Sequence, residues 1–457
     1  MERYGVIAGY PDRNFQGNRA ITRAEFAVGL NAVLGRVNQL IATGLTQQVS
    51  RDDWAILERL QQEYAAQLAT LQIRLDSLEA RAAELKVNQF STTTKLTGQT
   101  IFAVNGGGFS SERIVNPTGR EITDVNPKTT LLYRTALDFN TSFFGTDILK
   151  VRLDTGSNGA NDNVAGVLEP NFGSVLDFSV KPPRNGEFGI GRLYYTFTPF
   201  KDVQVSLGPA ILPTDFIDQN SYANQNFSDF STQALLNNYI LFPINGESSG
   251  AALDWKSKDG LFSVRAIYVA ADAANPGDRG TVAGVSPLSR LLYPSGGGNR
   301  GLFGDPDQGI VELEYAPSKA FALRLQYSGG NVFDHHFDVF GANFELAVSR
   351  RLGIFGRYGY GIYDDTAFGD LEPNYWMAGV SFRNLFVPGA VAGIAAGQPL
   401  IESKVGNATQ TNFEAFYNFP LSDNFGITPL VQVITNPANQ DNNGTIVTGT
   451  LRTVFLF

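Results

Sequence analysis

From about residue 89 to Phe457 the sequence alternates with period two, and the segments that alternate are joined by gaps that are short and long in turn. Leu131, Tyr133, Leu137, Phe139 and Phe143 fall on one side of a strand, with Leu132, Arg134, Ala136, Asp138 and Asn140 on the other. Phe321, Leu323, Leu325 and Tyr327 likewise oppose Ala322, Arg324 and Gln326. Side chains of successive strand residues point to opposite faces, so each segment has one apolar and one polar face. Sixteen such segments run from 95–104 to 445–457, the least regular being 389–395. The long gaps are 105–129, 156–187, 209–249, 271–308, 329–336, 364–374, 396–410 and 435–444. Short turns at one end, long loops at the other and an even strand number predict a closed 16-stranded antiparallel transmembrane β-barrel. Closure is obligatory, because lipid offers no hydrogen-bond partner to an edge strand.

The aromatic residues agree with a membrane setting. Tyr133, Tyr195, Tyr268, Tyr315, Tyr327, Tyr358, Tyr360, Trp376 and Tyr417 fall mostly near strand ends, where amphipathic rings sit at lipid head groups. No run of 18 apolar residues suggests a membrane-crossing helix. Cysteine is absent, which excludes disulfides and thiolate chemistry, and the net charge of −9 argues against a nucleic-acid partner.

The chain before residue 89 is helical in pattern. Residues 1–47 mix turn residues with one amphipathic helix, roughly Thr22 to Asn38, and Thr22 with Glu25 forms a capping box. Over 48–88 a strict three–four spacing places Trp54, Gln61, Leu68, Leu75 and Ala82 at heptad a, and Leu57, Tyr64, Leu71, Leu78 and Leu85 at d. A narrow stripe over more than four heptads suits a coiled coil; the other reading is one amphipathic helix packed on its own chain. No signal peptide is visible behind Met1, and the first residues begin as if inside a domain, so a preceding N-terminal piece is expected.

The stretch "VIAGYPDRNFQGNRAITRAEFA", the heptads after it and a last strand ending in Phe457 together resemble the cyanobacterial outer-membrane porins. Those proteins join a surface-layer-homology domain, a periplasmic coiled coil and a barrel of the carbohydrate-selective porin type. The resemblance covers the whole chain but only part of one homology motif, since the family's first helix is absent. It implies a partial wall-binding domain over 1–47, a periplasmic coiled-coil helix over 48–88 and an outer-membrane porin barrel over 89–457. It also implies a homotrimer, passage of small ions and hydrophilic nutrients, and attachment to peptidoglycan or a wall-linked polymer. Some relatives are described as iron-uptake porins, a narrower alternative. By the same resemblance Thr22, Arg23 and Glu25 border the pocket that grips wall polymer, with Tyr10 and Asp12 beside them. Arg23 is suited to an anionic group, because guanidinium donates in a fork. Strand parity puts both barrel termini on the short-turn side, which would face the wall.

Within the barrel, the polar faces carry Arg134, Lys150, Arg152, Arg192, Lys256, Arg265, Arg324, Arg357, Arg383 and Arg452. Fewer acids accompany them: Asp138, Asp154, Asp254, Glu312, Glu314, Glu345 and Glu414. The third long gap has no Lys or Arg but holds Asp215, Asp218, Asp229 and Glu247. In porins of the resembled architecture that loop folds into the barrel, so two arrangements are open. The acids could face the arginines across a gap and set a transverse field, or pair with them directly. No catalytic residue, metal site or cofactor is assigned. His335 and His336, on an expected outer loop, could touch a metal with Asp334 and Asp338, yet adjacent residues rarely converge on one ion. A barrel hydrolase would need a rim histidine beside a serine, and neither histidine clearly sits there. A purely structural tether would differ from a channel in having a blocked lumen.

Overall fold

The computed structural model describes residues 93–157, 159–180, 186–277 and 282–457, together with 51–64 and isolated positions at 32, 33, 35, 36, 39, 73 and 77. The chain divides into two compact units, Met1–Phe90 and Ser91–Phe457. In the first, Arg51–Glu63 is an α-helix, with Asp52 in the first turn, where a carboxylate favours the helix dipole. Tyr10, Asp12, Thr22, Arg23 and Glu25, which the resemblance expects at the wall-polymer pocket, and nearly all of the heptads beyond Tyr64 lie outside the described residues.

The second unit is a closed antiparallel barrel of sixteen spanning strands. They are β1 Thr94–Phe109, β2 Thr130–Thr141, β3 Ile148–Gly156, β4 Gly189–Phe200, β5 Val203–Ile211, β6 Ser248–Lys256, β7 Phe262–Ala270 and β8 Asp307–Ser318. The second half comprises β9 Phe321–Val332, β10 His335–Ala347, β11 Leu352–Thr366, β12 Asn374–Arg383, β13 Val391–Ile401, β14 Thr411–Ser422, β15 Phe425–Thr435 and β16 Ile446–Leu456. Every strand pairs with its sequence neighbour, and β1 also pairs with β16 in register from Gln99↔Leu456 to Phe109↔Ile446. Two backbone bonds finish the seam: Gly98 N–H to Phe457 O at 2.6 Å and Phe457 N–H to Gly98 O at 3.0 Å. No edge is left unpaired, as a strand in lipid demands.

The alternation is expressed as two surfaces. Leu131, Leu313, Leu325, Phe340, Tyr358, Phe413, Val431 and Leu451 are exposed on the outside. Their neighbours Leu132, Glu312, Arg324, Gln326, Arg357, Glu414 and Arg452 are buried on the inside. Asp147, in the short turn between β2 and β3, binds that turn together. It accepts from Phe144 N at 2.7 Å, Phe143 N at 3.1 Å, Ser142 Oγ at 3.0 Å and Tyr195 Oη at 2.9 Å. Burial pushes its carboxyl up, but these four donors outweigh that and hold it at about 2.

One expected long loop is not there. The gap read as 329–336 shrinks to Phe333 and Asp334, both left-handed at φ 58° and 68°. The carboxylate of Asp305 accepts both of their backbone N–H groups, at 2.7 Å for Phe333. His335 and His336 therefore start a strand instead of lying in a loop. The ring of His335 stacks on Tyr293 at 4.8 Å, and that of His336 lies 3.2 Å from Asp338, so the two adjacent side chains engage different partners. The strand expected at 389–395 starts two residues later and runs longer, as β13 from Val391 to Ile401.

Candidate functional site

The inside of the barrel is shaped by loops. The third loop, 212–247, turns into the lumen and hydrogen-bonds to the inward faces of strands around most of the circumference. Asp218 is its chief fastening. Its carboxylate receives Asn343 of β10 at 2.6 Å, Gln326 of β9 at 3.2 Å and Arg357 of β11 at 3.0 Å, and its N–H donates to Glu312 of β8 at 2.8 Å. Glu414 of β14 accepts the N–H groups of Ser231 at 2.8 Å and Thr232 at 2.7 Å. Arg452 of β16 donates to the carbonyls of Asn226 and Asp229 and to Ser231 Oγ. Tyr375 of β12 donates to the carbonyls of Ala234 and Asn237, and Arg192 of β4 pairs with Asp215. Backbone polar groups of a loop inside a barrel must find such partners, because an unsatisfied buried amide is costly.

The second loop joins the third. Leu176 bridges Thr232, Gln233 N donates to Val175 O, and Ala234 N to Gly173 O. Between them and the helix Pro287–Leu292 of the fourth long loop lies an apolar core. It contains Phe172, Leu176, Phe230, Leu235, Ile240 and Leu292, all fully buried. Part of the lumen is thus solid. Beside it an opening of about 540 Å³ is bounded by Ile190, Arg192, Leu212, Gln233, Glu247 and Val285.

The cations read from sequence separate into distinct environments. Arg357 with Asp218 is fully enclosed, both side chains at 0% exposure, and Arg452 is enclosed as well. These face inward but touch protein, so they fasten the loop and do not meet a solute. Arg134 pairs with Asp154 at 3.2 Å in a buried contact. Arg265 spans Glu312, Glu314 and Asp254, and Arg324 joins Glu314 at 2.6 Å to Glu345 at 3.4 Å. Arg152 and Lys150 on β3 keep 22% and 26% of their side chains exposed, sharing Asp138 at 2.7 and 3.8 Å. Lys256 and Arg383 lie exposed at the short-turn end. Of the loop acids, Asp218 and Asp229 are buried, Asp215 is held by Arg192 and Glu247 is exposed. At Asp215 and Asp218 acid and arginine are therefore in contact, not separated by a water-filled gap.

Asn343 and Tyr375, and Gln326, which the strand pattern places on the inner face only as a polar residue, also fasten the loop. Their signal was present as polar or hydroxyl-bearing residues at inward strand positions, but the partner lies more than a hundred residues away.

A closed sixteen-stranded barrel with an apolar outer band and an inward third loop is an outer-membrane porin. The chain belongs to the carbohydrate-selective porin, OprB family, whose profile matches residues 51–457. Residues 1–27 match the S-layer homology domain. An uncharacterised protein of a Nostoc species is 34% identical over 508 residues, covering 100% of this chain and 81% of the relative. The outer membrane protein SlpA of Thermus thermophilus is 34% identical over 83 residues, 17% of this chain and 9% of that protein. The structure of OprB from Pseudomonas putida at high pH aligns with a TM-score of 0.57 and 15% identity, over 82% of this chain and 96% of that one, a likeness of fold. The protein resides in the outer membrane.

Proposed function

We propose that the protein is a passive diffusion channel for small ions and hydrophilic nutrients, tethered to the peptidoglycan or a wall-linked polymer by its N-terminal arm. The observation that carries the channel reading is the division of the lumen. The third loop is fastened over Arg357 and Arg452, while Lys150 and Arg152 on β3, with Asp138 opposite them on β2, keep solvent access near the opening beside Arg192 and Glu247. A narrow, charged, wet passage next to a rigid partition selects by size and charge without a conformational cycle. The S-layer homology match at residues 1–27 supports the tether. The heptads over 48–88 support an oligomer, a homotrimer in our reading. The buried apolar cluster inside the barrel favours one competing reading, a tether with a blocked lumen.

Single-channel conductance in a planar bilayer, with the reversal potential in a salt gradient, decides between them. Ohmic steps with a defined ion preference support the channel. Intact, correctly inserted protein that passes no current leaves only the tether.

A further inference from the structure

The short-turn end of the lumen carries charge that none of the ion pairs above uses. Tyr222, on the third loop, lies over Gly353 of β11 so closely that a Cβ there would stand 2.2 Å from the ring. The ring stacks on Phe355 at 5.8 Å and receives the Arg383 guanidinium 5.7 Å from its centroid. Beside this ring is a recess of about 260 Å³ whose wall includes Lys319, Arg350, Arg351, Arg383, Ser349 and Glu345. Among the described residues, none of those four cations forms an ion pair. The single carboxylate is already engaged: Glu345 accepts Ser221 N at 2.5 Å and Ser221 Oγ at 3.0 Å, and lies 3.4 Å from Arg324. Ser349 Oγ accepts the N–H groups of Arg351 and Leu352 at 3.2 and 3.1 Å, which leaves its own hydrogen free to donate.

We propose that this recess binds a phosphate group carried by a small solute at the periplasmic mouth of the channel. Three arginines, a lysine and a free hydroxyl line one recess whose wall supplies a single, already engaged acid. A phosphate dianion brings the charge they lack and presents oxygens that match guanidinium forks. The volume holds inorganic phosphate or a phosphate ester of a compact sugar. Glu345, Ala347, Gly353 and Arg383 share the inward parity of their strands, so the recess opens to the lumen and a passing solute meets it. The same phosphate chemistry exists in lipid head groups at the membrane surface, but Tyr222 and Arg383 on the inner face favour the solute.

The site rests on the channel reading only for how its ligand arrives, and binding is measurable without conduction. The test is calorimetric titration of inorganic phosphate into the full chain in zwitterionic micelles. Saturable binding at one site is expected, weakened about tenfold or more by Arg351→Gln with Arg383→Gln, the order expected when charge-assisted hydrogen bonds are lost. Arg113→Gln, in an outer loop, leaves it unchanged. In a bilayer, phosphate added on the periplasmic side lowers the chloride current of the parent protein and not of the double variant. Absence of saturable phosphate binding overturns the proposal, whether or not the protein conducts. It is equally overturned if the double variant keeps its phosphate affinity but loses affinity for vesicles of anionic phospholipid, since the cations would then serve lipid.

Discussion

Removing the carboxylate of Asp218 should free the third loop while leaving the barrel standing. Asp218→Ala deletes the acceptor of Arg357, Asn343, Gln326 and the Asn238 N–H at once, and strands the Arg357 guanidinium in a site with 0% exposure. Taking one partner from a buried ion pair costs about 3–5 kcal/mol, because the remaining charge stays desolvated. Arg357 also donates to the carbonyls of Asp218 and Ala223, at 3.1 and 2.8 Å, which places the loss toward the lower end. A 3 kcal/mol loss confined to loop docking raises the undocked population by on the order of a hundredfold. The strand ladders on either side are untouched, so heat-modifiable migration on gels should persist. In a planar bilayer the variant should show larger and noisier current steps, and in solution it should be cut within 212–247 by protease at a rate the parent does not show. Coupling gives a sharper check: Asp218→Leu with Arg357→Met should restore quiet conductance, since both charges leave together. If Asp218→Ala matches the parent in conductance, noise and proteolysis, the loop is not held by this pair and the partition of the lumen must have another cause.

Four further outcomes follow from the same geometry. Gly353→Val drives a side chain into the Tyr222 ring and should abolish the phosphate effect on current while leaving chloride conductance within about twofold, a steric displacement read by the bilayer assay. Lys150→Gln with Arg152→Gln, the partly exposed cations of β3, should move the reversal potential toward cations; the paired Asp218→Leu with Arg357→Met should not, because the two buried charges leave together and neither side chain meets a solute. Asp147, held at about 2, stabilises its turn fully above its unfolded value near 3.9 and loses that contribution as pH falls toward 2, so Asp147→Asn should flatten the acid limb of thermal unfolding between pH 4 and 2. A chain beginning near Gln89 should still insert and conduct but no longer pellet with purified wall.

The barrel was legible because lipid imposes one rule on every strand. Outward positions must be apolar and inward ones are free to be polar, so β9 and β10 announce themselves residue by residue. The rule stops where strands leave the bilayer. Around "SGGNVFDHHFD" the glycines and adjacent histidines break the alternation, and a long loop was the natural reading. The tight turn there depends on Asp305, whose carboxylate caps two left-handed residues from 28 positions upstream, and no local pattern carries that. The lumen was legible in composition only. A lysine-free, arginine-free third loop and a row of inward arginines were both visible, but which acid meets which arginine depends on how far the loop descends. Descent is set by bonds from Glu414 and Tyr375 to loop amides and carbonyls, which no composition reveals. The unpaired cations around Tyr222 escaped for the same reason: Lys319, Arg350 and Arg351 sit in turns, and only the loop brings a ring to them.

The apolar core built from the second, third and fourth long loops separates two jobs that most proteins ask of one interior. Fit to the membrane is decided on the outer face of the strands, where only hydrophobicity and ring placement matter. The bore is decided by Phe172, Phe230, Leu235 and their neighbours, none of which touches lipid. Strand count then sets an upper bound on aperture, and loop volume sets the aperture itself. A lineage with this plan can widen, narrow or re-tune its opening by exchanging a few buried loop residues, with no renegotiation of how the barrel is inserted or where it sits in the bilayer. Two members with superimposable walls can therefore have unrelated permeabilities, and resemblance of the wall alone is a poor guide to what passes through it.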